Sequence, residues 1–232
     1  GGLLAAILWG ENKASLKQDE STSIREAVSV VAKDPKIMLV GAVQSLFETA
    51  MYIFVLQWPP VMVGAIEKYF GGNVSTPFGA IFSCFMASCL LGSTMFGQLA
   101  KMSVQVESSA GIMLTVATIA MSLATYVQQS TLSLPLLMGA FFAFEACVGM
   151  YFPSIGTLRS RYVPDSHRSV IMNLFGIPLN VLVVSVFLSI HKIGVGGALT
   201  ISSGALGLAT ICMWSLRRMV NRSIPSVVEY NI

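Results

Sequence analysis

Ser45-Leu-Phe-Glu-Thr-Ala-Met-Tyr-Ile-Phe-Val-Leu-Gln-Trp-Pro-Pro60 sets one carboxylate, Glu48, inside an apolar run long enough to be buried in lipid. An acid within a membrane span is costly, roughly 2.5 to 3.5 kcal/mol for Asp at a helix centre, so by default it marks a functional position. The composition around it agrees with that setting. Hydrophobic residues make up 54% of the 232 and charged residues 11%, where a soluble domain carries about 25% charged residues. Mean hydropathy is +0.74. The chain reads as an all-α membrane protein assembled from spans of about 20 residues each.

Outward from that run, apolar segments predict spans over residues 37–58, 78–100, 109–127, 134–153, 170–190 and 196–216. They form a six-helix transmembrane bundle over 37–216. Residues 1–9 read as the end of a preceding transmembrane helix, which would make the chain a fragment of something longer. Residues 10–36 read as a polar linker. Within it Ser23-Ile-Arg-Glu26 has the form of a capping box, with Ile24, Ala27, Val28 and Val31 at helical spacing behind it. A short amphipathic helix ended by Asp34-Pro35 is expected there. Of the 14 basic residues, all but Lys68 and Lys192 fall in alternate loops or in the 217–232 tail. The positive-inside rule therefore places the linker and the C-terminus in the cytoplasm.

Small residues recur every four positions in the second span (Ala80, Cys84, Ser88, Gly92) and in the last (Gly196, Thr200, Gly204), which predicts close helix packing. Cys84, Cys89, Cys147 and Cys212 all lie in apolar runs, so neither a disulfide framework nor a zinc spacing follows. No cofactor is called for.

A second acid, Glu145, stands in Phe144-Glu-Ala-Cys147, echoing Phe47-Glu-Thr-Ala50. Glu48 lies about 18 Å beyond Lys36 and Glu145 about 21 Å before Arg159 at helical rise. Both acids are thus expected near the bilayer midplane on antiparallel spans, as three helices followed by three inverted ones would place them. Gln44, Glu48 and Tyr52 share one face of the first span, and Asn173 and Asn180 share one face of the fifth, flanking Pro178. These polar groups would line a wet cavity, or else bond to neighbouring helices. Arg159, Arg161 and Arg168 form a candidate cytoplasmic gate, with fixing topology as the alternative role.

Two passages, Gln44 to Pro59 and Arg159-Ser-Arg-Tyr-Val-Pro-Asp-Ser-His-Arg-Ser-Val-Ile-Met-Asn-Leu-Phe-Gly-Ile-Pro-Leu-Asn180, resemble the molybdate-anion transporters of the major facilitator superfamily. Gly97-Gln-Leu-Ala-Lys101 resembles that superfamily's loop signature, with Lys101 in place of the acid. The resemblance implies the C-terminal half of a twelve-helix transporter, partnered by a missing N-terminal six-helix half, embedded in a bilayer, and taking up molybdate by alternating access. Two carboxylates at midplane depth would repel a dianion. Either the missing half and helix N-termini supply the anion site, or Glu48 or Glu145 serves as a proton-coupling site. Gln44, Tyr52, Asn173 and Asn180 would then be neutral donors near the substrate.

Other classes fit less well. An enzyme is not expected, because His167 and His191 fall at opposite membrane faces and no Ser/His/Asp set, phosphate loop or metal spacing occurs. No basic, aromatic-rich domain supports nucleic-acid binding. A proton-linked carrier of sugars or other organic solutes, and a transporter-like receptor or scaffold, remain as alternatives. The expected location is an integral protein of the plasma membrane.

Overall fold

The computed structural model describes residues 20–72, 74–130 and 133–223. The expected stub over 1–9, most of the linker before residue 20 and the end of the tail lie outside them. Among the described residues six α-helices follow one another: α1 (Glu20–Lys33), α2 (Pro35–Phe70), α3 (Phe78–Lys101), α4 (Val106–Ser130), α5 (Leu134–Tyr162) and α6 (Arg168–Ser223). All but α1 are long and apolar enough to cross a membrane.

Asp34 separates α1 from α2 without a loop. Its side chain accepts a hydrogen bond from the Lys36 amide at 2.8 Å, an N-cap contact, and Pro35 occupies the first turn where no amide partner is needed. Because α1 is already helical at Glu20, Ser23 sits within it and the capping-box reading fails.

The helix α2 passes through Pro59 and Pro60, where the sequence had suggested its end, and stops at Gly71, whose φ of 75° suits glycine. Beyond the prolines Val61, Met62, Ala65 and Ile66 are buried at helical spacing. That tertiary packing holds the last turns despite the lost backbone bond.

Two contacts with α2 reveal the course of α6. Ser45 donates to the Phe175 carbonyl at 2.6 Å, and Ser202 donates to the Ala50 carbonyl at 3.2 Å. An unbroken helix would hold residues 175 and 202 about 40 Å apart, yet they meet α2 at points five residues apart. The chain must reverse between them, and Gly194, with φ 64° and ψ 177°, is the break. The limbs 168–193 and 195–223 thus supply the fifth and sixth spans, matching the six expected.

Aromatic contacts fix α5 antiparallel to α2. Phe47 stacks on Tyr151 with ring centroids 4.0 Å apart and lies 6.1 Å from Phe144, while Phe54 is 5.0 Å from both Phe144 and Phe141. Numbers rise along one helix as they fall along the other.

Between α3 and α5 two glycines face each other's backbones. A Cβ at Gly92 would overlap the Ala146 carbonyl oxygen, and one at Gly149 would overlap the Cys89 carbonyl oxygen. Of the small residues predicted to form that packing surface, Gly92 meets a neighbour this closely, while Ala80 and Cys84 are exposed.

Hydrogen bonds stitch α4 to the second limb of α6. Trp214 Nε1 donates to Thr115 at 3.2 Å, Thr118 pairs with Thr210 at 2.9 Å and Ser122 with Ser203 at 2.6 Å. Gln129 reaches the Gly196 carbonyl and Thr200 at 3.3 and 3.2 Å. Gly196 and Thr200 therefore serve the expected contact, whereas a Cβ at Gly204 would meet open space.

Candidate functional site

The α2–α5 pair carries the acid that the sequence singled out. Side chains on a helix lean toward its N-terminus. In an antiparallel pair Glu48 therefore leans toward the C-terminal end of α5, while Arg159, three residues from that end, leans back toward the level of Glu48. They meet: Arg159 Nη2 lies 3.3 Å from Glu48 Oε1, and Tyr151 Oη donates to the same oxygen at 3.0 Å. One turn before Glu48, Gln44 Oε1 accepts from Arg159 Nε at 3.0 Å.

Tyr151 and Gln44 are buried, but the ion pair is not sealed: the Arg159 and Glu48 side chains are 27% and 17% exposed. Tyr52, a further turn along α2, is exposed as well. Exposed charge facing hydrocarbon is costly, so this face of the bundle is one that water or further protein covers.

Several sequence expectations change here. Arg159 joins the Glu48 cluster, whereas Arg161 and Arg168, grouped with it as a candidate gate, pair elsewhere. Arg161 Nη1 and Tyr162 Oη each bond to Glu107 Oε1 at 2.6 Å, joining the end of α5 to the start of α4. Arg168 pairs with Asp165 at 2.5 Å. Glu107 was missed as a site residue although it is buried at 1% exposure, with Oε2 unpartnered among the described residues. Its signal in the sequence was an acid in the first turn of a helix, where the dipole favours negative charge.

Glu145 lies within about one turn of the level of Glu48, as the aromatic register shows. It is turned elsewhere, however, into the packing near Cys89 of α3, where it is buried at 7% exposure and makes no hydrogen bond or ion pair among the described residues. Asn173 is likewise not gathered at the cluster; it lines a groove of about 440 Å³ with Ile24 and Val28 of α1 and Ile177 of α6. Asn180 is exposed on α6 and hydrogen-bonds to none of the described side chains. Among the described residues no three His, Cys, Asp or Glu side chains are placed to hold a metal.

The cluster thus offers a guanidinium, a carboxylate, a phenol and an amide on one open face of a helical bundle. Such a set has the chemistry to hold a small polar or charged solute.

Comparison with known proteins gives this face a context. A family model described as sugar transporters with 12 transmembrane segments matches residues 3–152. A molybdate-anion transporter of Xenopus tropicalis is 29% identical over 227 residues, covering 91% of this chain and 46% of that protein. Molybdate-anion transporters of Takifugu rubripes and Danio rerio are each 28% identical, over 197 and 200 residues, covering 81% of this chain and 38% of theirs. The chain therefore spans less than half the length of these curated relatives.

Proposed function

This chain belongs to the family of sugar transporters with 12 transmembrane segments, and on that premise we propose that it forms the C-terminal half of a secondary active carrier that takes up molybdate by alternating access. The observation that carries the reading is the Gln44–Arg159–Glu48–Tyr151 cluster on an open face of the bundle. A second six-helix half covers that face, and the cavity between the halves receives the anion. Arg159 answers the difficulty that two intramembrane acids raise for a dianion, since it places a permanent positive charge beside one of them.

Uptake is coupled to protons, with Glu48 as the first candidate carrier of the proton and Glu145 as the second. Gln44 and Tyr52 on α2 supply neutral donors near the anion. Asn173 and Asn180 serve the fifth span at other positions: the first at the groove under α1, the second on the exposed side of α6. Arg161 and Arg168 hold the cytoplasmic end of the bundle through Glu107 and Asp165. The linker and C-terminus face the cytoplasm, with the carrier in the plasma membrane.

The test is molybdate uptake by the full-length protein in cells lacking other molybdate carriers, at two pH values, beside Glu48→Gln. Saturable uptake that rises with acid and loses its pH response in the variant supports the reading. A folded, membrane-inserted protein with no uptake above background refutes it.

The matched family's description favours a second reading, a proton-linked carrier of sugars. Under that reading labelled sugar accumulates while molybdate does not.

A further inference from the structure

We infer that Arg159 is a binding site for a tetrahedral oxyanion and that the Glu48 carboxylate is its resident occupant, displaced when the anion binds. The inference rests on the proposed transport of molybdate and adds to it the atoms that hold the anion and the link between anion and proton.

A guanidinium presents its N–H groups as a planar fork that matches two oxygens of a carboxylate or of an oxyanion equally well. In this structure Arg159 spends Nε on Gln44 and Nη2 on Glu48, while Nη1 has no partner among the described residues. The fork is partly filled and partly open, and it lies at an accessible face.

The neighbours are suited to an exchange. Tyr151 Oη donates to Glu48 Oε1, the oxygen that also meets Arg159. Gln44 uses its carbonyl oxygen on Arg159, which leaves its amide N–H groups as free donors. If Glu48 takes up a proton, its carboxyl loses the charge that holds it to Arg159. Arg159, Tyr151, Gln44 and the new carboxyl O–H then make four donors around one position. That set suits an acceptor-only oxyanion.

A proton on Glu48 and an anion on Arg159 therefore favour each other, while a charged Glu48 and the anion exclude each other. One proton enters with each anion, and the proton rests on a Glu48 carboxyl oxygen. Glu145, the second candidate, is turned away from Arg159 into the packing near Cys89 and has no anion-binding cation beside it among the described residues. The titratable and charged groups facing Glu48 are Tyr151 and Arg159 of α5, Tyr52 lies on α2 itself, and the hydrogen bonds that α6 makes to this stretch of α2 involve the Phe175 carbonyl and Ser202, neither of them titratable.

The experiment measures molybdate binding by the purified full-length protein in nanodiscs at pH 8 and pH 6, for wild type, Glu48→Gln, Arg159→Gln and Tyr151→Phe. Wild type is expected to bind more tightly at pH 6, by up to about tenfold per pH unit, the limit for one linked proton. Glu48→Gln, which cannot hold the guanidinium by charge, is expected to bind at pH 8 at least as tightly as wild type does at pH 6, with no pH response. Arg159→Gln is expected to lose binding at both pH values. Tyr151→Phe keeps the ring that stacks on Phe47 and is expected to bind several-fold more weakly, which separates loss of a donor from loss of fold.

Equal binding by wild type and Arg159→Gln overturns the inference and leaves molybdate transport standing. A pH response that survives in Glu48→Gln overturns the exchange in the same way. Absence of molybdate binding by folded wild type, with labelled sugar binding instead, removes the transport reading and the inference with it.

Discussion

Replacing Gly149 with alanine would drive a methyl group into the Cys89 carbonyl oxygen of α3, a backbone atom that no rotamer change can move aside. The helices must separate until that contact reaches ordinary van der Waals distance, a displacement of more than about 1 Å. A gap of 0.5 to 1 Å already forfeits a quarter to a half of each dispersion contact, and with about 30 atom pairs at 0.1–0.2 kcal/mol each, the seam would lose ~1–3 kcal/mol. The overpacking cost seen in protein cores, roughly 1–3 kcal/mol, has the same size.

Gly92 faces the Ala146 carbonyl across the same seam, which sharpens the test. Gly92→Ala alone should cost a similar amount. In the double variant the helices have already moved apart, so the second substitution should add far less than the first, a coupling of about 1–2 kcal/mol. Equilibrium unfolding in mixed micelles, read by tryptophan fluorescence, measures all four corners of that cycle. An unchanged midpoint for Gly149→Ala, or strictly additive costs in the double variant, would refute the close-approach argument.

Gly41 provides a contrast, because its Cβ would strike the ring of Phe175, a side chain able to turn away; Gly41→Ala should cost less than Gly149→Ala in the same assay, under ~1.5 kcal/mol. Arg161→Ala removes one of the two donors to buried Glu107 and should destabilise by ~1–3 kcal/mol, with Glu107→Gln in the same background recovering part of the loss because no buried charge is then left under-paired. Ser122→Ala breaks the pair with Ser203 and should cost only about 0.6 kcal/mol, as interhelical hydrogen bonds in membranes commonly do, measured by unfolding of the same full-length protein.

The six spans were legible because each is an apolar run of sufficient length and the basic residues alternate between loops. The end of α2 was not, because two consecutive prolines outweighed a helical pattern, Val61, Met62, Ala65 and Ile66, that becomes decisive only when a neighbour buries it. The reversal at Gly194 is marked in the sequence by glycines at 194, 196 and 197, though nothing local selects the first of them.

Glu48 stood out as a charge among apolar residues. Its partner did not, because counting helical rise between Cα atoms set Arg159 far from the midplane acids and ignored the reach and lean of two long side chains. Pairing across 111 residues leaves no local trace. Glu107 lies just before residue 109, where the third span was expected to begin, and a single charge there is ordinary; only the folded pairing with Arg161 and Tyr162 reveals its burial.

The separation of Glu48 from Arg159 also has a meaning in time. Membrane spans are delivered in the order of synthesis, and at about 5–20 residues per second the ribosome needs ~6–22 s to make the 111 residues between acid and base. Tyr151, 103 residues on, arrives scarcely earlier. For that interval the first span holds its carboxylate with neither of its native α5 donors yet made. The native pairing of this acid thus waits on the synthesis of the fourth span.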